Sequence, residues 1–348
     1  MLQDADPANR HWPAEWMPHA ATWIAWPHNR QTWPERFEPI EPVFQRIVEI
    51  LSEVEAVHVL GGSEAVYQRA AKAVGSLNRV TVHPMPTNDC WIRDYGPTFV
   101  HIGQGQQLLA VDWQYNAWGG KWPPWDEDAQ NAKRVADLAG VGISTSLLTC
   151  EGGALETDGE GTLLTTSSCL LSPARNANWS REQVERQLMT QLGVKKVLWI
   201  DGGGLAGDDT DSHIDQLVRF TRPGVVVAAV AYTNADENYA KLATQFESLK
   251  SVTDAADRAI EIVPLPTPPP RYFANQRVPE SYCNFYIANS LVIVPVFGFR
   301  ETDDAALGIL KEQFPKHDIV ALNASDLAWG LGAMHCVTQQ QPALSSAD

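Results

Sequence analysis

Toward the end of this 348-residue chain, Cys336 follows a turn of small residues, Gly330-Leu331-Gly332-Ala333, with His335 beside it. A deprotonated cysteine is a strong nucleophile, but at its ordinary pKa of about 8.5 only a few per cent is thiolate at neutral pH. Chemistry at Cys336 therefore needs positive charge near the sulfur and a group that moves protons. Three other segments carry groups of the right types: Trp91-Ile92-Arg93-Asp94-Tyr95-Gly96-Pro97, Glu151-Gly152-Gly153 and Asp208-Asp209-Thr210-Asp211-Ser212-His213-Ile214-Asp215. A thiol, an acid/base and several carboxylates suit attack on a cationic carbon, and a guanidinium is the natural candidate.

A guanidinium is planar, permanently charged and presents its donors as a fork, which a carboxylate matches with two parallel hydrogen bonds. Two or more carboxylates would hold its plane and leave the central carbon open. Asp94, Glu151, Asp209 and Asp215 qualify, each lying in a loop broken by Gly, Pro or Ser. Acids in such loops also cap turns or meet solvent, and Cys336 also reads as an ordinary buried thiol. On a strand, His335 and Cys336 would point to opposite faces, whereas His213 and Asp215 would share one. His213 is accordingly the better acid/base. The acid-rich loop 208–215 also admits a hard metal ion, but its spacing lacks the central glycine and terminal glutamate of a calcium loop. No metal is assigned.

The charge balance, 26 basic against 42 acidic residues for a net −16, disfavours nucleic acid and anionic membranes as partners. It suits a small cation, or simply solubility. Five scattered cysteines, Cys90, Cys150, Cys169, Cys283 and Cys336, form no CxxC pair and indicate neither a zinc ribbon nor a disulfide framework. Residues 1–10 are polar and lack an apolar signal core, and no apolar run reaches the roughly 20 residues of a membrane span. A cytoplasmic location is expected. Ten of the 13 tryptophans precede residue 126, suiting core packing, an interface, or stacking on sugars or planar cations.

Helical periodicity places Phe44, Ile47, Val48 and Leu51 on one face, after Pro39 and Pro42 near a helix start. Ser180 with Gln183 forms a capping box ahead of Val184, Leu188 and Leu192. Further helices are predicted near 126–139, 236–252 and 303–314. Strand-like runs separate them at 57–60, 80–83, 98–102, 108–113, 143–148, 197–200, 225–230, 262–265, 284–287, 291–296 and 319–322, and 162–171 reads as the return strand of a hairpin after Asp158-Gly159-Glu160-Gly161. The helix starts recur at intervals of about 55 to 65 residues, which suggests a repeated strand–strand–helix–strand unit. The proline-rich stretch 264–270 is too short for a linker, so residues 1–348 are expected to form a single domain.

These motifs are similar, nearly end to end, to those of the bacterial agmatine deiminases and the related bacterial-type peptidylarginine deiminases. The resemblance runs through residues 12–19 and 22–27, Asn88–Pro97, Glu151–Gly153, Gly207–Asp215, Ser281–Tyr286 and His335–Gln340, in that order. It implies an α/β fold, the pentein α/β propeller: five ββαβ units around a pseudo-fivefold axis, with the active site at the centre. It implies Cys336 as nucleophile and His213 as general acid/base, with Asp94 and Asp215 gripping the guanidinium and Glu151 supporting catalysis. Trp91 would line the substrate channel, and Asp209 would recognise the substrate near its amine tail. The implied reaction is deimination of agmatine to N-carbamoylputrescine and ammonia through a cysteine thiouronium, a step of putrescine biosynthesis. It needs no cofactor, and a homodimer or larger homo-oligomer is implied.

Competing readings are free, methylated or peptidyl arginine as substrate, a non-catalytic binder of polyamines or guanidines, and a tryptophan-rich carbohydrate-binding module. Free arginine would need a cationic partner for its α-carboxylate, for which Arg93, Arg271 and Arg300 are available. Two departures from the family pattern involve three residues. Leu331 and Ala333 interrupt a turn usually richer in glycine, and Ser212 precedes His213 where many members have glycine.

Overall fold

Two runs expected as strands, 225–230 and 291–296, and the first five residues of a third, 162–171, are buried at almost every position. That pattern belongs to strands covered on both faces rather than to an edge. In the computed structural model, which describes residues 9–273 and 275–345, each is the middle strand of a three-stranded sheet. Residues 1–8, which carry most of the polar N-terminal stretch, lie outside the described residues.

Five sheets repeat one connectivity. An antiparallel pair leads into a helix, and the chain returns parallel to the second strand. The pairs are Thr98–Ile102 with Gln107–Gln114, Glu156–Thr157 with Thr162–Thr166, Val218–Arg222 with Val225–Val230, and Tyr286–Ala288 with Leu291–Val296. The helices that follow are Asn131–Ala139, Arg181–Leu192, Tyr239–Leu249 and Arg300–Gln313. The parallel return strands are Gly142–Thr149, Lys196–Ile200, Glu261–Pro266 and Asp318–Asn323. The fifth unit is closed from both ends of the chain. Gln339–Pro342 pairs antiparallel with His19–Ala25, which continues through helix Ile40–Ser52 into Ala56–Leu60. A further helix, Glu64–Val74, and strand, Val80–His83, extend that sheet. This is the pentein architecture of five ββαβ units.

Where local chemistry is explicit, the predicted bounds match. Ser180 accepts from the Gln183 backbone, and the Gln183 side chain reaches back, completing the capping box. Elsewhere side chains move the boundary. The helix expected from 303 starts at Arg300, because Asp303 sits in its first turn and accepts from Phe297 N and Gly298 N. The helix expected from 236 starts at Tyr239, because Asp236 makes a turn to Asn238 N and pairs with Arg277. The helix expected from 126 begins at Asn131, after a tighter 3₁₀ turn at Asp128–Gln130. The return strand expected over 162–171 ends at Thr166, where the helical turn Ser167–Leu170 takes over. All five cysteines are free thiols. Among the described residues no helix is long and apolar enough to cross a membrane.

Candidate active site

The nucleophile candidate is held in a turn rather than a strand, and one side chain organises it. Asn284 Oδ1 accepts from the backbone N–H groups of Ala333, His335 and Cys336 at 3.2, 3.1 and 3.3 Å, and its Nδ2 donates to Cys336 Sγ at 3.2 Å. Because the backbone turns here, His335 and Cys336 do not diverge as they would on a strand. Both reach Asp215 Oδ2, the imidazole Nδ1 at 2.8 Å and the sulfur at 3.6 Å. The other nitrogen of His335 lies 2.8 Å from Glu15 Oε2, which Arg219 also engages at 3.0 Å.

His213 and Asp215 share one site for a different reason than strand alternation. His213 caps the 3₁₀ turn Ile214–Gln216, and that turn delivers both side chains. Thr210 Oγ1 accepts from His213 N at 3.1 Å, and Asp208 accepts from Thr210 and from Ser212 N at 2.8 Å. Ser212 has φ +79° and Leu331 φ +73°, the left-handed region that glycine enters freely. Two of the residues that depart from the family's glycine preference, Leu331 and Ser212, therefore fall where glycine has a conformational advantage. The Asp208 hydrogen bonds hold Ser212 in place.

The acidic loop does not form a metal cluster. Asp208 ties down the turn, Asp211 pairs with Lys121 and Arg175, and Asp209 Oδ2 accepts from Trp122 Nε1 at 2.6 Å. Asp94, Glu151, His213 and Asp215 do converge. Asp94 Oδ1 accepts from Gly153 N at 3.0 Å, and its Oδ2 accepts from Trp118 Nε1 at 2.9 Å. His213 stands between two acids, Nδ1 3.6 Å from Asp94 and Nε2 3.7 Å from Glu151. Gly153 is the hinge of this packing, since a Cβ there would meet His213 Nδ1 at 2.6 Å, Asp94 Oδ1 at 2.8 Å and Asp215 Oδ2 at 3.1 Å.

Charge is distributed unevenly among these buried groups. Burial, reinforced by Asp215 and Glu151, pushes the Asp94 carboxyl up to about 6 despite His213. Burial acts on Glu151 in the same way, but Arg175, whose Nε bonds both carboxylate oxygens at 2.8–2.9 Å, outweighs it and keeps the pKa low. For Asp215, His335 outweighs burial. For His213, burial opposes the charge, but Asp94 beside Nδ1, with Cys169 and Glu151 near Nε2, raises its pKa well above the usual imidazole range. Burial, with Asp215 and Asp94, drives the Cys336 thiol well up.

Several buried atoms here have no hydrogen-bond partner: both nitrogens of His213 and Asp215 Oδ1. Unpaired buried polar groups are costly, and their convergence marks where a ligand's donors belong. A cavity of about 260 Å³ reaches Cys336 and Asp94. Trp91, Trp118, Trp122, Phe273 and Trp329 line it, with Asp89 and Asp209, and no lysine or arginine is among the described lining residues. Trp91 is thus one of the residues that line this cavity. Arg93 instead supports the nucleophile turn through His335 O and Gln340, Arg271 pairs with Glu280, and Arg300 pairs with Asp304.

Asn284, Gly153, Trp118 and Arg175 had no role assigned from sequence. Asn284 and Gly153 lay inside quoted motifs. Arg175 had no local signal, because its partners Glu151 and Asp211 are 24 and 36 residues away.

The model of the Porphyromonas-type peptidyl-arginine deiminase family matches residues 11–342. An agmatine deiminase of Stutzerimonas stutzeri is 36% identical over 354 residues, with 95% of each chain covered. That of Medicago truncatula is 34% identical over 364 residues, with 96% of each covered. The solved agmatine deiminase of Enterococcus faecalis superposes with a TM-score of 0.90 at 30% identity, covering 97% of this chain and 98% of that one. The chain belongs to the Porphyromonas-type peptidyl-arginine deiminase and agmatine deiminase family, and is a hydrolase of guanidino compounds.

Proposed function

We propose that the protein is an agmatine deiminase, releasing ammonia and N-carbamoylputrescine, with Cys336 as nucleophile and His213 as general acid and base. The observation that carries the substrate is the lining of the cavity. One wall reaches Cys336 and Asp94, Asp209 lies beside the exposed Trp122, and no described lining residue would neutralise an α-carboxylate. A guanidinium with an amine tail fits that distribution, and free arginine does not. The relatives named agmatine deiminase support the same reading.

In this mechanism the substrate guanidinium takes Asp94 and the unpaired Asp215 Oδ1 as its carboxylate partners. Its charge beside the sulfur is worth about 4 kcal/mol at 4 Å and an effective dielectric of 20, which eases thiol ionisation by roughly a thousandfold. The thiol proton leaves to Asp215, 3.6 Å away. The thiolate forms a C–S bond with the guanidinium carbon, the terminal C–N bond breaks, and the His213 imidazolium gives its proton to the departing ammonia. Neutral His213 then takes a proton from water as it attacks the thiouronium carbon. The C–S bond breaks, Asp215 returns its proton to the sulfur, and the urea-type product leaves after giving up its hydroxyl proton, which departs with the ammonia as ammonium. Glu151, fixed by Arg175, steadies the imidazolium through both steps. The residues themselves supply the nucleophile and the proton carrier, so the mechanism draws on no cofactor.

The reading is tested by ammonia release from agmatine, arginine and a blocked arginine peptide in parallel. Turnover of agmatine alone supports it, and preference for arginine or the peptide refutes the substrate assignment.

Asp209→Asn is expected to raise KM for agmatine roughly tenfold, the worth of about 1.4 kcal/mol, with kcat little changed. Butylguanidine, which lacks the amine, should not distinguish the two proteins. Equal losses on both compounds would remove Asp209 from amine recognition. Gly153→Ala is expected to lower kcat/KM by about a hundredfold, because the added methyl displaces His213 and Asp94 from each other. Near-normal activity would show that the cluster tolerates rearrangement.

A further inference from the structure

Behind the reacting groups a thiol that the mechanism does not use, Cys169, adjoins two groups that it does, Glu151 and His213. Cys169 is fully buried on the helical turn Ser167–Leu170, and its thiol lies 3.8 Å from Glu151 Oε2. His213 Nε2 is 3.7 Å from the same oxygen, and one donor atom from each of Glu151, Cys169 and His213 lies within 4.8 Å of the others. Among the described residues this is the single group of three such side chains placed to share an ion. The buried Nε2 has no hydrogen-bond partner, so the site holds a nitrogen lone pair or N–H with nothing bound to it.

We propose that Glu151, Cys169 and His213 form a site for one zinc ion, and that zinc there reversibly silences the enzyme. The inhibitory consequence rests on the deiminase reading, but the binding does not. Sulfur, nitrogen and carboxylate oxygen are the donor set zinc favours, and around it such atoms stand roughly 3.3–3.7 Å apart, close to the two distances that Glu151 Oε2 makes to the Cys169 thiol, 3.8 Å, and to His213 Nε2, 3.7 Å. Binding exchanges the thiol proton and the Nε2 proton for the ion, while Glu151 is already ionised. Three protein ligands leave the fourth position to water.

The surroundings supply the outer support that such a site requires. Arg175 fixes the Glu151 carboxylate and is itself held by Asp211 Oδ2 and Thr210 O, while Nδ1 of His213 remains directed at Asp94. The ion would reach the ligands from the cavity past Asp94. Once bound at Nε2, it would replace the second proton of the imidazolium, leaving no imidazolium to protonate the departing ammonia, so turnover would stop without any change at Cys336.

The test separates this site from zinc captured by the nucleophile. Cys336→Ala protein, titrated with zinc chloride by calorimetry, is expected to bind one ion per chain. The double variant Cys336→Ala/Cys169→Ser should bind at least about tenfold more weakly. In the turnover assay, zinc should inhibit the wild-type enzyme and EDTA should restore it. Cys169→Ser should keep activity within a few-fold and need at least tenfold more zinc for half-inhibition. Cys169→Ala, checked by its melting curve, guards against a serine-specific folding defect. Absence of binding by Cys336→Ala, or equal zinc potency in wild-type and both folded Cys169 variants, overturns the proposal. Absence of any guanidine turnover with binding intact would count against the deiminase reading and leave the metal site standing.

Discussion

Exchange of Cys336 for serine is expected to cut ammonia release from agmatine by roughly 10⁴-fold or more, while agmatine still binds. A hydroxyl ionises far less readily than a thiol, and the field of one guanidinium, worth about 4 kcal/mol, cannot make up the difference. Binding should survive because Asp94, Asp215 and the aromatic lining are untouched. Serine can still accept from Asn284 Nδ2, so the turn that presents the residue should persist as well. Steady-state ammonia assays and calorimetry on the same preparation check both halves. Turnover within tenfold of wild type would remove Cys336 from the chemistry. Loss of binding together with turnover would give it a structural role instead.

The chemistry of this site was easier to read from the chain than its support. Cys336, His213 and the four acids stand out by residue type, because few side chains can attack a cationic carbon or grip a guanidinium. The repeat was also visible, since hydrophobic periodicity and the Ser180–Gln183 capping box are local signals. The closing strand Gln339–Pro342 was not. Its residues Gln-Gln-Gln-Pro have little strand character, and they pair because the fold brings them to Trp23 and Thr22. Helix Glu64–Val74 was also missed, its apolar face reduced to Val66, Ala70 and Val74.

Arg175 and Asn284 show the limit most clearly. Asn284 matters for the geometry with which it receives three backbone N–H groups 49 to 52 residues downstream, and nothing within its own segment encodes that. The departures at Leu331 and Ser212 were visible as letters, but their positive φ explains why glycine is favoured there.

Asp94→Asn is expected to lower kcat/KM for agmatine by roughly 10³-fold and to abolish the acid limb of its pH profile. Two effects combine. The amide cannot balance the guanidinium charge, nor hold His213 as an imidazolium in the way the carboxylate 3.6 Å away does. Two donors also converge on this side chain, Gly153 N–H and Trp118 Nε1–H. Asparagine has one acceptor oxygen, so its NH₂ group must face one of those donors, at a cost of about 1–3 kcal/mol. The melting temperature should therefore fall as activity does.

The pH dependence distinguishes these effects. With the Asp94 carboxyl pushed up to about 6, its ionised fraction falls as pH drops through 6, and kcat/KM in the wild-type enzyme should fall with it. In Asp94→Asn that limb has no group to produce it, so residual activity should be flat between pH 5 and 7. A limb unchanged in the variant would assign the titration to another group. A flat profile with near-normal kcat/KM would mean that Asp215 alone suffices to grip the cation.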